Sequence, residues 1–251
     1  MTSPEKNLVL IHGWAANRHI FDDLIPRLPD TWRIQAFDLP GHGQAPLEGY
    51  FDVVSAAETL AERITEPSYL LGWSLGGLVS LYIASRYPEK VRALCLTASF
   101  AKFRAEPDYP EGLSNPALGK MVALFQQDYH KYMKQFLQLQ FMHAKDQTGI
   151  LEKVLPDIIN RGAPAALQSA LDALAEADAR PLLSGIGQPV CLIYGSKDTI
   201  SPPRMGEYLA RNLPDARLNL IEKAAHAPFL SHVAEFTELL THFIESNPKP
   251  V

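Results

Sequence analysis

Cysteine is scarce: the chain of 251 residues has two, Cys95 and Cys191. It has no CxxC pair and no Cys/His cluster, so no structural metal is expected. Both cysteines sit in apolar runs, ALCLTA and PVCLIY, and read as buried strand residues rather than as a disulfide. No stretch approaches the ~18 consecutive apolar residues of a membrane helix, so no membrane partner is expected either. Basic residues are not in excess: 23 Lys and Arg face 28 Asp and Glu, a formal net charge of −5. That balance argues against a general nucleic-acid binder. MTSPEKNLVLIHG lacks the longer apolar core and small-residue cleavage site of an export signal, and the expected compartment is the cytoplasm. With 47% hydrophobic and 20% charged residues, the composition excludes a disordered chain, a collagen repeat and a coiled coil. The length fits one large α/β domain, or a core domain carrying an insertion.

What is present is an alternation of short apolar runs and amphipathic stretches. Residues 7–13, 33–38, 68–73 and 91–99 read as strands, and 189–195 and 217–222 resume the pattern. Most are nearly continuous apolar runs, as in parallel strands buried on both faces. Stretches 20–28, 55–65, 75–86, 203–213 and 233–245 read as helices. This alternation predicts an α/β fold with a mostly parallel, doubly wound sheet. Residues 104–183 break the rhythm, hold no convincing buried strand and read as inserted helices. The expected division is a core of 1–103 and 184–251 with a helical lid of 104–183.

The strongest motif is Gly72-Trp73-Ser74-Leu75-Gly76, a G-x-S-x-G with an apolar strand before it and a helix after it. A serine at such a strand-to-helix turn is held in a strained conformation at a helix N-terminus, where N–H groups favour negative charge. Its hydroxyl is a weak nucleophile and needs a base held by a carboxylate. Of eight histidines, His226 follows the strand RLNLIE and lies at the carboxyl rim of the sheet, as Ser74 does. Asp198, in GSKD, follows the strand VCLIYG at the same rim. His42, in PGHG, is a weaker alternative base, and Asp38 reads as a turn residue. A tetrahedral intermediate needs two N–H donors. One is expected from Leu75, after the nucleophile, and the other from Trp14, in the loop after the first strand. His12 is expected to order that loop.

On these residues the chain resembles the α/β-hydrolases throughout. More narrowly, LIHGWAAN, DLPGHG, GWSLGGLVS, QFLQLQFM and AAHAPFLSH resemble the pimeloyl-acyl-carrier-protein methyl ester esterases of bacterial biotin synthesis. The resemblance is loosest across 104–183. It implies an α/β-hydrolase fold with an inserted helical lid, no cofactor and no metal. Ser74 would be the nucleophile, His226 the base and Asp198 its orienting acid. Trp14 and Leu75 match substrate-contacting and oxyanion positions, and Phe136, Leu137, Gln138, Leu139 and Gln140 match a substrate-contacting segment. Gln138 departs from the small apolar residue expected there.

The resemblance also implies an acidic acyl-carrier protein as partner, which a net-negative surface repels unless the docking face is locally basic. Residues 119–161 hold six basic and four acidic residues. Lys120, Lys131 and Lys134 would share one face if 120–134 were a single helix, and they are the docking candidates. The implied reaction is hydrolysis of the methyl ester of pimeloyl-carrier by a serine carboxylesterase. The alternatives are a general short-chain esterase acting on small-molecule esters, a C–C bond hydrolase, a perhydrolase, or a hydrolase-fold binding protein with little turnover. A monomer is the default.

Overall fold

The computed structural model describes residues 6–114, 123–125, 127–140, 147–159 and 164–247. Lys120, His143, Lys145 and Arg161 lie outside the described residues. Among these, six parallel strands form one sheet in the order β2-β1-β3-β4-β5-β6. They are β1 (Lys6–Ile11), β2 (Trp32–Phe37), β3 (Ser68–Trp73), β4 (Val91–Thr97), β5 (Val190–Gly195) and β6 (Ala216–Ile221). All six expected strands are present.

Burial follows composition. The apolar runs of β1, β3, β4 and β5 are almost wholly buried. The edge strands β2 (WRIQAF) and β6 (ARLNLI) keep exposed and half-buried positions, because each has a neighbour on only one side. On β2 the edge is covered in part by Arg63, whose guanidinium lies 4.0 Å from the Phe37 ring centroid.

Helices α1 (Val53–Arg63) and α2 (Leu75–Arg86) precede and follow β3. Asp52 caps α1 by accepting the Ser55 N–H at 2.8 Å, a contact worth about 1 kcal/mol. The stripe Val53, Ala56, Ala57, Leu60 and Ala61 is buried at the spacing of a one-sided helix. α2 (LGGLVSLYIASR) is buried on nearly all sides, as its composition requires. The helix expected over 20–28 is instead two short 3-10 turns, Arg18–Phe21 and Ile25–Arg27. Pro26 supplies no N–H for a continuous α-helix, and Asn17 caps the first turn through the His19 N–H.

Between β4 and β5 the described residues contain isolated bridges but no strand of the sheet. They carry α3 (Tyr129–Gln140), α4 (Gln147–Ile159) and α5 (Leu167–Glu176). Residues 120–134 do not form one helix. The chain leaves helical geometry at Asp128, whose carboxylate accepts the Lys131 N–H at 3.0 Å and caps α3. Lys131 and Lys134 are both exposed on α3. The same helix turns Tyr129, Met133, Leu137 and Gln140 inward. The two ends of this segment are tied together. Ala179 N–H donates to the Ala101 carbonyl (2.8 Å), and Lys102 Nζ reaches Glu106 (2.9 Å) and Asp178 (3.3 Å).

After β5 come α6 (Pro203–Asn212), then β6, the short α7 (Pro228–Ser231) and α8 (Val233–Ser246). No helix among the described residues is long and apolar enough to cross a membrane.

Candidate active site

β1 pairs with β2 on one side and β3 on the other, so the crossover direction reverses beside β1. Open α/β sheets place their sites outside the strand carboxyl ends at such a reversal. Here β1 runs into His12-Gly13-Trp14 and β3 into Ser74, while β5 and β6 lead to Asp198 and His226.

Ser74 has φ 54° and ψ −116°. That is the mirror image of an extended conformation, open to glycine and strained for an L-residue by roughly 1–3 kcal/mol. The turn is held from both sides. Ser74 N–H donates to the Thr97 carbonyl (3.0 Å), and the Ser74 carbonyl accepts the Gly77 N–H (2.9 Å). The motif's glycines permit close approach. A Cβ on Gly72 would lie 2.6 Å from the Gly76 carbonyl oxygen, and one on Gly76 would lie 2.1 Å from that of Ile11. Leu75 is the first residue of α2, so its N–H lacks an intrahelical acceptor.

Asp198 and His226 meet although 28 residues apart. His226 Nδ1–H donates to Asp198 Oδ2 at 2.8 Å, with both side chains buried. The other carboxylate oxygen, Oδ1, accepts the N–H groups of Ile200 (2.8 Å) and Ser201 (3.0 Å). The carboxylate is therefore held in one orientation from both oxygens, and with the proton on Nδ1 the far ring nitrogen, Nε2, is an acceptor.

His12 orders the loop after β1. Its Nδ1–H donates to the Gly13 carbonyl (2.8 Å), and its Nε2 accepts the Leu39 N–H (3.0 Å). That pattern fits a single neutral tautomer. Burial drives the His12 pKa down to about 4, against smaller upward pulls from the Gly13 carbonyl and Asp38. The bond to Gly13 has a further effect, because one planar peptide carries the Gly13 carbonyl and the Trp14 N–H. Fixing one end fixes the direction of the other.

Asp38 occupies a turn, as its sequence context indicates. Its oxygens accept the N–H groups of Arg18 (2.7 Å) and Gln44 (3.0 Å). Burial pushes this carboxyl up, but those donors outweigh it and hold the pKa below the usual value. His42 is fully buried, with Nδ1 against the Pro40 carbonyl at 3.1 Å and its ring 5.4 Å from His12. Burial, and then the neighbouring His12, take its pKa down to about 3.

Both histidines fold uncharged but are protonated in the unfolded chain below about pH 6.5. Their contribution is complete above that pH and is lost as pH falls toward 4 and 3, by up to ~1.4 kcal/mol per pH unit for each. Replacing His42 by Phe should remove about half of this slope between pH 4.5 and 6.5 in urea-denaturation free energies. An unchanged slope would show that His42 does not fold in its neutral form.

Ser74 and His226 share a pocket with Gly13, Trp14, Trp73, Phe103, Phe136, Leu171, Leu174 and Ile200. Its volume is about 10 Å³, room for one water and no acyl chain. Phe136 on α3 and Leu171 and Leu174 on α5 close this pocket from the side of the inserted helices. Of the lid segment singled out by resemblance, only Phe136 lines this pocket. Leu137 is buried elsewhere on α3, Gln138 and Leu139 are exposed, and Gln140 is buried with no partner for its amide among the described residues. Phe103, Leu171, Leu174 and Ile200 were not visible as wall residues, because apolar residues facing a pocket and facing a core have the same sequence pattern. A separate cavity of about 600 Å³ runs along Arg18, Asp38, Tyr50 and Arg63 and contains neither Ser74 nor His226.

A family model described as the alpha/beta hydrolase fold matches residues 6–233. A pimeloyl-[acyl-carrier protein] methyl ester esterase from Neisseria meningitidis serogroup C is 59% identical over 245 residues, covering 98% of this chain and 96% of its own length. One from Chromobacterium violaceum is 34% identical over 240 residues, covering 96% and 94%. Among solved structures, an esterase from Exiguobacterium antarcticum superposes with a TM-score of 0.88 at 24% identity, covering 97% of this chain and 93% of its own. That last likeness concerns the fold. The chain belongs to the alpha/beta hydrolase family and, within it, to the pimeloyl-[acyl-carrier protein] methyl ester esterases.

Proposed function

We propose that the chain is a serine carboxylesterase that hydrolyses the methyl ester of pimeloyl-acyl-carrier protein, releasing methanol and pimeloyl-carrier in biotin synthesis. The observation that carries the chemistry is the buried 2.8 Å bond from Asp198 to His226, which lines the same pocket as a strained Ser74. The relatives' substrate supplies the ester.

In this reading Ser74 Oγ attacks the ester carbonyl carbon while His226 Nε2 takes its proton. Asp198 holds the ring and stabilises the imidazolium. The carbonyl oxygen becomes an oxyanion facing the N–H groups of Leu75 and Trp14, the second aimed by His12 through the Gly13 peptide. His226 returns its proton to the departing methoxide, and methanol leaves. A water then gives a proton to His226 and attacks the acyl-enzyme; His226 passes that proton to Ser74 Oγ as the acyl–oxygen bond breaks, and the acid leaves and ionises in solvent. No metal or organic cofactor takes part in this sequence.

The segment between β4 and β5 acts as the lid over the core. Phe136, Leu171 and Leu174 part to admit an acyl chain. Lys131 and Lys134, exposed on α3, give an acidic carrier a local attraction that the overall charge of −5 withholds.

Two measurements test this reading. A fluorophosphonate should label Ser74 one to one and fail to label Ser74→Ala; labelling at another residue would contradict it. Reversing both lysines (Lys131→Glu with Lys134→Glu) should raise KM for the carrier-borne ester about tenfold at low salt. The free methyl ester should be unaffected, and the difference should shrink at high salt. Equal losses on both substrates would remove the lysines from docking.

A further inference from the structure

We infer that Trp73 is a positioning residue for the base: its indole N–H grips the backbone of His226 and so sets the reach of the imidazole to Ser74. The inference rests on the roles proposed above for Ser74 and His226.

Trp73 is the last residue of β3 and the covalent neighbour of the nucleophile. Its side chain is 1% exposed. Nε1–H donates to the carbonyl oxygen of His226 at 2.9 Å, a buried bond between residues 153 apart in the chain. The indole also stands 5.5 Å from the His226 ring and makes an edge contact with Phe229 at 5.3 Å. On its other side lies the loop after β1. A Cβ on Gly13 would come within 3.1 Å of both the Trp73 ring and the Ser74 Cβ. One rigid side chain therefore touches the base loop and the oxyanion loop and is bonded through the main chain to the nucleophile.

The hydrogen bond adds something that packing alone does not. The His226 ring is restrained at Nδ1 by Asp198, and one bond leaves the imidazole free to swing about that point. The base loop is tied further back, where Lys197 N–H donates to the Ala224 carbonyl at 2.9 Å. At His226 itself, the carbonyl is held by the Trp73 N–H. A ring fixed at one nitrogen and at its own backbone has a defined distance to Ser74. A buried carbonyl that loses the indole donor seen among the described residues turns to find another, and the ring moves with it.

Ordinary substitutions mix loss of the N–H with loss of volume, so the test changes the N–H alone. β-(3-Benzothienyl)alanine, placed at position 73 by nonsense suppression, keeps the bicyclic shape and puts sulfur where the N–H stands. A 7-azatryptophan at the same position keeps the N–H. Turnover of a p-nitrophenyl ester gives kcat and KM, and the fluorophosphonate inactivation rate reports Ser74 activation directly. The thienyl form should lose about tenfold in kcat and in inactivation rate, with KM within about twofold. The aza form should recover most of the loss, and both forms should melt with the unmodified protein to within a few degrees. Trp73→Phe serves as a genetically encoded second form and should lose at least as much in kcat and inactivation rate as the thienyl form.

A thienyl form with unchanged kcat, or an aza form equally impaired, would overturn the inference. So would a loss carried mainly by KM. Failure of the underlying site assignment looks different, because the unmodified protein would then not be labelled at Ser74 at all.

Discussion

Replacing Ser74 by alanine should lower ester hydrolysis by about five orders of magnitude and leave the protein folded. The size of the loss follows from what remains. In the proposed site the N–H groups of Leu75 and Trp14 would still bind the carbonyl, but the water that must replace the hydroxyl would have no fixed position. The backbone at Ser74 adds a second expectation. At φ 54° and ψ −116° a side chain is a burden that glycine lacks. Ser74→Gly should be as inactive as Ser74→Ala and more stable, by about 1 kcal/mol after glycine's greater unfolded-state entropy is subtracted. For a chain of this size that is about 2–4 °C in Tm. Substantial activity in either variant would remove Ser74 from the mechanism, and a less stable glycine form would show that the turn is not strained.

Asp198→Asn is the second large effect, and the direction follows from counting donors. Oδ1 of Asp198 accepts two backbone N–H groups, from Ile200 and Ser201. In asparagine only the amide oxygen can take that place, which turns the NH₂ group toward His226. A donor facing Nδ1 forces the imidazole into the other tautomer, with its proton on Nε2. That nitrogen then cannot accept the proton of Ser74. The expected loss is about 10⁴-fold in kcat at neutral pH, with little change in KM. The volume of the side chain is preserved, so a Tm close to that of the parent is expected. A loss of tenfold or less would mean that the Asp198–His226 bond is structural only.

The legibility of this protein was uneven for physical reasons. Ser74, Asp198 and His226 could be placed on one rim from the sequence, because each follows a strand and all parallel strands end on the same side. The ordering role of His12 was visible in the same way, one residue past β1. The turn at Asp38 was also visible. What failed to show was anything that depends on contacts between distant segments. The Trp73–His226 hydrogen bond spans 153 residues and leaves no local pattern. Phe103, Leu171, Leu174 and Ile200 form the pocket wall with residue types that pack any core. On α3 the helical phase decided which residues face inward, and Asp128 restarted that phase. Gln138, an anomaly by resemblance, is exposed and lies away from the pocket. The short 3-10 turns near Pro26 show the same limit, since local breakers overrode an apolar spacing that resembled a helix.

This chain is expected to remove a methyl ester from a carrier-borne pimeloyl group. Methanol release from pimeloyl methyl ester attached to its acyl-carrier protein, set beside the same ester free in solution, tests it most directly. Stoichiometric methanol is expected from both, with a kcat/KM higher for the carrier-borne ester, and none from either with Ser74→Ala. No methanol from the carrier-borne ester, or equal kcat/KM for the two, would contradict it.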